Sequence, residues 1–383
     1  MTREKKKKKI VWQEYIGTAF MMLMGAICGV IIVWYIDKSS EDTLYQRLLL
    51  FAGLFLGTYA AFFFHIIVHE AGHLVFGLLT GYRFSSFRIA SLLLLKENGK
   101  WKWKRLSIVG TGGQCLMAPP DIKDGKMPLV LYNLGGSLIN TLTSALFLLG
   151  YLIWSEIPLL SPLLLIFAAV GFIIALMNGI PLRMGTVDND GYNAFALSKN
   201  KEATEAFWVQ LKVAEQTAKG IRLRDMPDEW FAVPTDEAMK NSMVAVRGVF
   251  ACNKLMDEEK FEQADALMAH LLEIESGMVG LHRSLLICDR IFAELIGENR
   301  GDVIGRMLTK EQTAFMKAMK SYPSVIRTQY ALALLLEKDP EKAETLKNEL
   351  EKVARTYPYP HEIESERELL RIAQRARSEA MGN

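Results

Sequence analysis

The residues best suited to chemistry stand together as His69-Glu70-Ala71-Gly72-His73. On a helix, positions i and i+4 share one face, so two imidazoles at this spacing can reach a single tetrahedral ion. The glutamate between them projects beside that ion, where a carboxylate can take a proton from metal-bound water. HExxH also recurs by chance in soluble helices, so the pattern alone is only moderately specific. Its surroundings sharpen it. The three polar side chains lie in an apolar run from about Leu48 to Leu79, longer than one bilayer crossing needs. Ionisable groups in lipid are costly and require a partner, and a metal supplies one. The competing account is a set of polar residues hydrogen-bonded within a helix bundle.

Zinc held by two histidines needs a third protein ligand and keeps its fourth position for water. Asp188 and Asp190 are the candidates, in the stretch Asn178-Gly-Ile-Pro181-Leu-Arg-Met-Gly-Thr-Val-Asp188-Asn-Asp190-Gly191. An ordinary Asn-Asp-Gly turn is the alternative for both. His65, one turn before His69, falls on the same helical face. It could hydrogen-bond to a metal ligand's carboxylate or to substrate, or transiently hold metal, although a histidine satisfied by packing in the bundle is the simpler reading. Gly110 to Pro120 lacks the lysine and hydroxyl residue of a phosphate loop, which excludes nucleotide binding there. That stretch reads instead as a close-approach loop near the membrane.

The elements that must carry these residues follow from hydropathy. The chain has 383 residues, half of them hydrophobic, but the apolar runs lie almost wholly before residue 183. Spans are predicted at about 16–35, 48–79, 129–154 and 159–181. The first follows the basic start MTREKKKKKI and reads as a retained span rather than a cleaved signal. Lysine and arginine are concentrated at the amino terminus and in the loop between the second and third spans, which predicts that both termini are cytoplasmic. Within that loop, 84–95 and 100–109 alternate like strands on either side of Asn98-Gly99, a strong hairpin signal. Trp101 and Trp103 between lysines suit a hairpin at the cytoplasmic membrane surface, as a plain connector or as a substrate contact.

Beyond about residue 198 the periodicity becomes helical, charged and soluble, with a weak likeness to tetratricopeptide repeats. The expected fold is therefore mainly α: a four-span membrane helical bundle with a cytoplasmic β-hairpin and a soluble all-helical domain. Its divisions are a basic tail (1–14), a membrane domain (15–197) and a cytoplasmic helical domain (198–383). A formal net charge of +2 gives no general field for nucleic acid. Four scattered cysteines form no CxxC pair, which argues against a disulfide framework or a thiolate zinc site.

HExxH on one span, then Asn178-x-x-Pro181 followed by Asp190-Gly191 after a later one, resembles the site-2 protease family of intramembrane zinc metalloproteases. Leu134-Gly135-Gly136-Ser137-Leu-Ile-Asn140 is similar to the glycine-rich stretch of that family's third core span. The resemblance covers roughly residues 55–195 and excludes the helical carboxyl half. It implies Zn2+ held by His69, His73 and Asp190, the following glycine favouring Asp190 over Asp188. It also implies Glu70 as the general base and Asn140 and Asn178 as donors to a substrate carbonyl or developing oxyanion. The residue before the aspartate is Asn189, where the family has leucine. The implied activity is hydrolysis of peptide bonds in membrane proteins or membrane-associated peptides near the cytoplasmic face. The lipid bilayer is the implied partner; outside the resemblance, 198–383 could recruit substrate, bind a cytoplasmic protein partner or drive oligomerisation, and the lysine-rich start suits a bacterial plasma membrane. A catalytically inactive scaffold of the same fold, or a membrane zinc peptidase of another family, remain as alternatives.

Overall fold

A computed structural model describes residues 13–382 except 40–42, 98–99, 109–110, 124, 183–187 and 199. The lysine run and the Asn98-Gly99 turn therefore lie outside the described residues. The protein is mostly helical, with a small antiparallel sheet and four helices long and apolar enough to cross a membrane. It forms two compact units. One ends at Val75 and resumes over Leu131–Phe195; the other comprises Phe76–Val130 and Ala196–Asn383.

The first unit contains α1 (Gln13–Lys38), most of α2 (Leu44–Leu79), α3 (Leu129–Ile153) and α4 (Leu160–Gly179). Their limits lie close to the hydropathy boundaries, except that α2 starts earlier. The start is fixed by a capping box, in which Gln46 Oε1 accepts from the Thr43 backbone N–H (2.8 Å) and Thr43 Oγ1 accepts from the Gln46 N–H (3.3 Å). Cys28, Leu54, Ala61, Ile166 and Val170 pack α1, α2 and α4 around one core. The outward faces are equally apolar: Val30 is 70% exposed, Leu56 66% and Leu152 66%. A soluble protein does not leave so much contiguous apolar surface in water, and hydrocarbon is the solvent that suits it. At its end, α4 runs into Ile180, whose extended backbone precedes Pro181, as the chain restriction before proline requires.

In the second unit the expected hairpin is part of a four-stranded antiparallel sheet, ordered β3-β2-β1-β4. Its strands are β1 (Arg83–Ile89), β2 (Leu92–Glu97), β3 (Lys100–Arg105) and β4 (Gly113–Ala118). The predicted strand 84–95 is broken in two because Ala90 takes a left-handed conformation (φ 50°) and the chain turns back. Ile89 then faces Leu92 across a two-residue turn. The glycine-rich stretch read as a loop supplies β4, paired with β1 from Arg83↔Ala118 to Ile89↔Gly113. Trp101 and Trp103 are exposed, and so are Lys100 and Lys102, so both faces of β3 are open where the alternation suggested one wet face.

The sheet is not an isolated appendage. Arg105 N–H donates to Thr356 O (2.8 Å), and Trp208 Nε1 donates to Pro120 O (3.1 Å). Both tie it to the helices that follow residue 200. Among those, Phe261–Glu273 and Pro340–Ala354 form where amphipathic spacing predicted them. Asp339 caps the second by accepting from Lys342 N–H at 2.9 Å.

Candidate metal centre

α2 carries His65, His69, Glu70 and His73, and all four are buried. The i, i+4 relation brings His69 Nε2 to 3.2 Å from His73 Nε2. Asp190 closes the group: its Oδ2 lies 2.9 Å from His69 Nε2 and 3.3 Å from His73 Nε2. Among the described residues these three form the one group of His, Cys, Asp or Glu side chains able to share an ion. Bonds of about 2.0–2.1 Å to a tetrahedral ion would hold its ligand atoms about 3.3–3.4 Å apart. The separations of 3.2 and 3.3 Å match that and the one of 2.9 Å is shorter, so the donor set fits such an ion once His69 and Asp190 part slightly. Burial would raise the carboxyl pKa of Asp190, but His73 and His69 beside it outweigh burial and hold it well below the usual carboxylate range. Glu70 lies near enough to His73 to interact with it electrostatically.

Close helix crossing makes this geometry accessible. A Cβ on Gly72 would collide with Gly135 O and Gly136 Cα, and one on Gly136 would come within 2.5–2.6 Å of the His69 ring. The glycine pair on α3 thus lets α2 approach closely enough for the His69 imidazole to lie against the α3 backbone. Small residues serve helix packing in membranes in just this way. From α3, Tyr132 O accepts from His73 Nδ1 at 2.8 Å. A carbonyl can only accept, so His73 carries a proton on Nδ1, and its neutral form would turn an Nε2 lone pair toward a bound ion.

Of the two aspartates, Asp190 stands with the histidines, while half-buried Asp188 is outside the group. Asn140 is completely buried between His65 Nδ1 (3.2 Å) and His69 Nδ1 (3.3 Å). Asn178 donates back to Ile174 O in its own helix at 3.1 Å. His65 also meets Phe167 O at 2.9 Å through Nε2.

Comparison of the chain with protein-family models, with curated proteins and with solved structures finds no match. What the site does must therefore be argued from its own chemistry.

One residue that matters here stood out in the sequence only as a departure from the family's leucine, with no role read for it. Asn189, buried, donates through Nδ2 to Met177 O and Ile180 O (both 2.7 Å). Its Oδ1 accepts from Leu182 N–H (3.0 Å) and Tyr192 N–H (2.8 Å). It thereby satisfies carbonyls at the end of α4 and caps the start of α5 (Asp190–Ser198). Leucine could do neither, and the nearest sequence signal was the good N-cap type one residue before a helix. Asn189→Leu is expected to lower metal affinity by about 10–100-fold, the usual effect of losing an outer-sphere support, although Asn189 touches no ion. Competition against a chelator of known affinity measures this; unchanged affinity would show that the Asp190 backbone holds its place unaided.

Proposed function

We propose that the protein is an intramembrane zinc endopeptidase acting on membrane proteins or membrane-associated peptides near the cytoplasmic face. The carrying observation is the convergence of His69 Nε2, His73 Nε2 and Asp190 Oδ2 at separations suited to one tetrahedral ion. Two histidines and a carboxylate leave a fourth position open, the arrangement of catalytic rather than structural zinc. Bound there, Zn2+ would polarise a peptide carbonyl and lower the pKa of water to about 7.

The chain's own groups supply the rest. Glu70 takes the proton from the attacking water and passes it to the leaving amine nitrogen. The apolar helices exclude bulk water, which strengthens every charge interaction within the site. A substrate helix must unwind locally, because its peptide bonds are shielded while hydrogen-bonded. The basic amino terminus and the cation-rich segment between α2 and α3 support cytoplasmic termini, and the helices beyond residue 200 would then meet soluble partners.

The test uses the full chain in detergent and in membranes. Purified protein is expected to contain about one zinc ion per chain. Membranes carrying it should yield fragments ending within hydrophobic segments, lost on chelation and restored by added zinc. Zinc-free protein with no affinity for the ion, or a zinc-loaded protein that generates no such fragments, overturns the reading.

A further inference from the structure

We propose that His65 and Asn140 form a proton-ordered strut that fixes the tautomer and aim of His69. The proposal rests on the reading of the cluster as a metal site and assigns both residues a positioning role.

The argument starts from a fixed point. Phe167 O can only accept, so His65 Nε2, 2.9 Å away, carries a proton. A neutral imidazole then presents Nδ1 as an acceptor. That atom faces Asn140 Oδ1 at 3.2 Å, with Asn140 Nδ2 toward His69; two acceptors cannot bond each other, so the carboxamide is assigned the other way round, with its NH2 toward His65. The two ends of a carboxamide exchange by a half-turn and are assigned from the hydrogen-bond network. With the NH2 on His65, Asn140 Oδ1 faces His69 Nδ1, 3.3 Å from the amide. His69 Nδ1 must then donate, which leaves an Nε2 lone pair directed at the cluster. His69 thus reaches the state that Tyr132 O imposes directly on His73.

The opposite amide orientation needs two protons on His65. It would place a cation on a side chain with no exposure, among the rings of Phe64, Phe147 and Phe167 with centroids 5.2, 6.0 and 6.4 Å away. Such a charge in an apolar span is expensive, and the neutral order avoids it while giving both ring nitrogens of His65 a partner. The pocket is also shaped for the ring: a Cβ on Gly171 of α4 would collide with His65 and Ser144. The strut therefore links α4 through α2 and α3 to the metal-facing nitrogen. A histidine merely satisfied in the core would have no consequence at that nitrogen.

Two measurements on the full-length protein test this. Ring 15N NMR of the zinc-loaded wild type is expected to show His65 singly protonated, on Nε2; a doubly protonated His65, or one protonated on Nδ1, overturns the strut without needing any variant. In addition, zinc affinity and the visible spectrum of the Co2+-loaded protein are compared among His65→Leu, His65→Gln, Asn140→Leu and Asn140→Asp. The leucine variants should lose about 10–100-fold in affinity and show an altered cobalt spectrum. His65→Gln, which can accept from Asn140 and donate to Phe167 O, should restore most of both. Asn140→Asp keeps the acceptor for His69 and should bind more tightly than Asn140→Leu. Wild-type affinity and spectrum in both leucine variants overturn the strut while leaving the metallopeptidase reading intact. Absence of metal from the wild type overturns that reading instead.

Discussion

Glu70→Gln is expected to reduce peptide cleavage by about 10²–10⁴-fold, the usual contribution of a positioned general base, while zinc content stays at the wild-type level. Glutamine preserves the size of a buried side chain but cannot accept the proton of the attacking water. His69, His73 and Asp190 are unaltered, so an ion held by them should stay bound. The measurement pairs metal analysis of purified protein with fragment-resolved proteomics of membranes carrying wild type or variant. Equal cleavage by both would remove Glu70 from the mechanism. The same comparison separates an enzyme from a scaffold of identical fold, because binding partners through the helical half has no need of a base at this position. A loss of cleavage accompanied by a loss of zinc would mean that Glu70 supports the ion rather than the proton transfer.

Asp190→Ala is expected to weaken zinc binding by about 10²–10³-fold. Apparent zinc free energies of about 10–16 kcal/mol at four-ligand sites amount to roughly 2.5–4 kcal/mol per ligand, which sets that range. Removing the carboxylate also leaves two imidazole nitrogens 3.2 Å apart with no anion between them. Asp188→Ala serves as the control and should bind zinc within a few-fold of wild type, since Asp188 is outside the cluster. Competition titration of both variants reads the difference. A larger effect at Asp188 than at Asp190 would reverse the ligand assignment and require a different path for the chain after α4.

Much of the centre was legible because its signals are local. The spacing of His69 and His73 fixes a shared helix face whatever else the chain does. The lengths of three of the four apolar runs suit the thickness of a bilayer, and the run carrying the histidines exceeds it. Amphipathic periodicity likewise located Phe261–Glu273, and the Pro340 start of the later helix needed only the preference of proline for a first helical turn. The sheet was harder to read. Its alternation was clear, but the break at Ala90 has no glycine to announce it, and the partner of β1 on its far side is a stretch whose glycines suggested a loop.

What the sequence by itself determined, then, is the chemistry available: two imidazoles and a carboxylate base on one apolar helix, with a further carboxylate after a later span. Only the tertiary structure decided that Asp190 rather than Asp188 reaches the histidines, that Asn140 stands between His65 and His69, and that Asn189 secures the turn from α4 to α5. It also placed the sheet with the carboxyl-terminal helices, through contacts such as Arg105 to Thr356. The division has a physical cause. Helix faces and span lengths are set within a few turns of chain, whereas these contacts join residues tens to hundreds of positions apart. The Asn189 contacts are the local exception; the geometry of the long-range ones depends on how closely helices cross, and at this site that closeness is set by the missing side chains of Gly72 and Gly136.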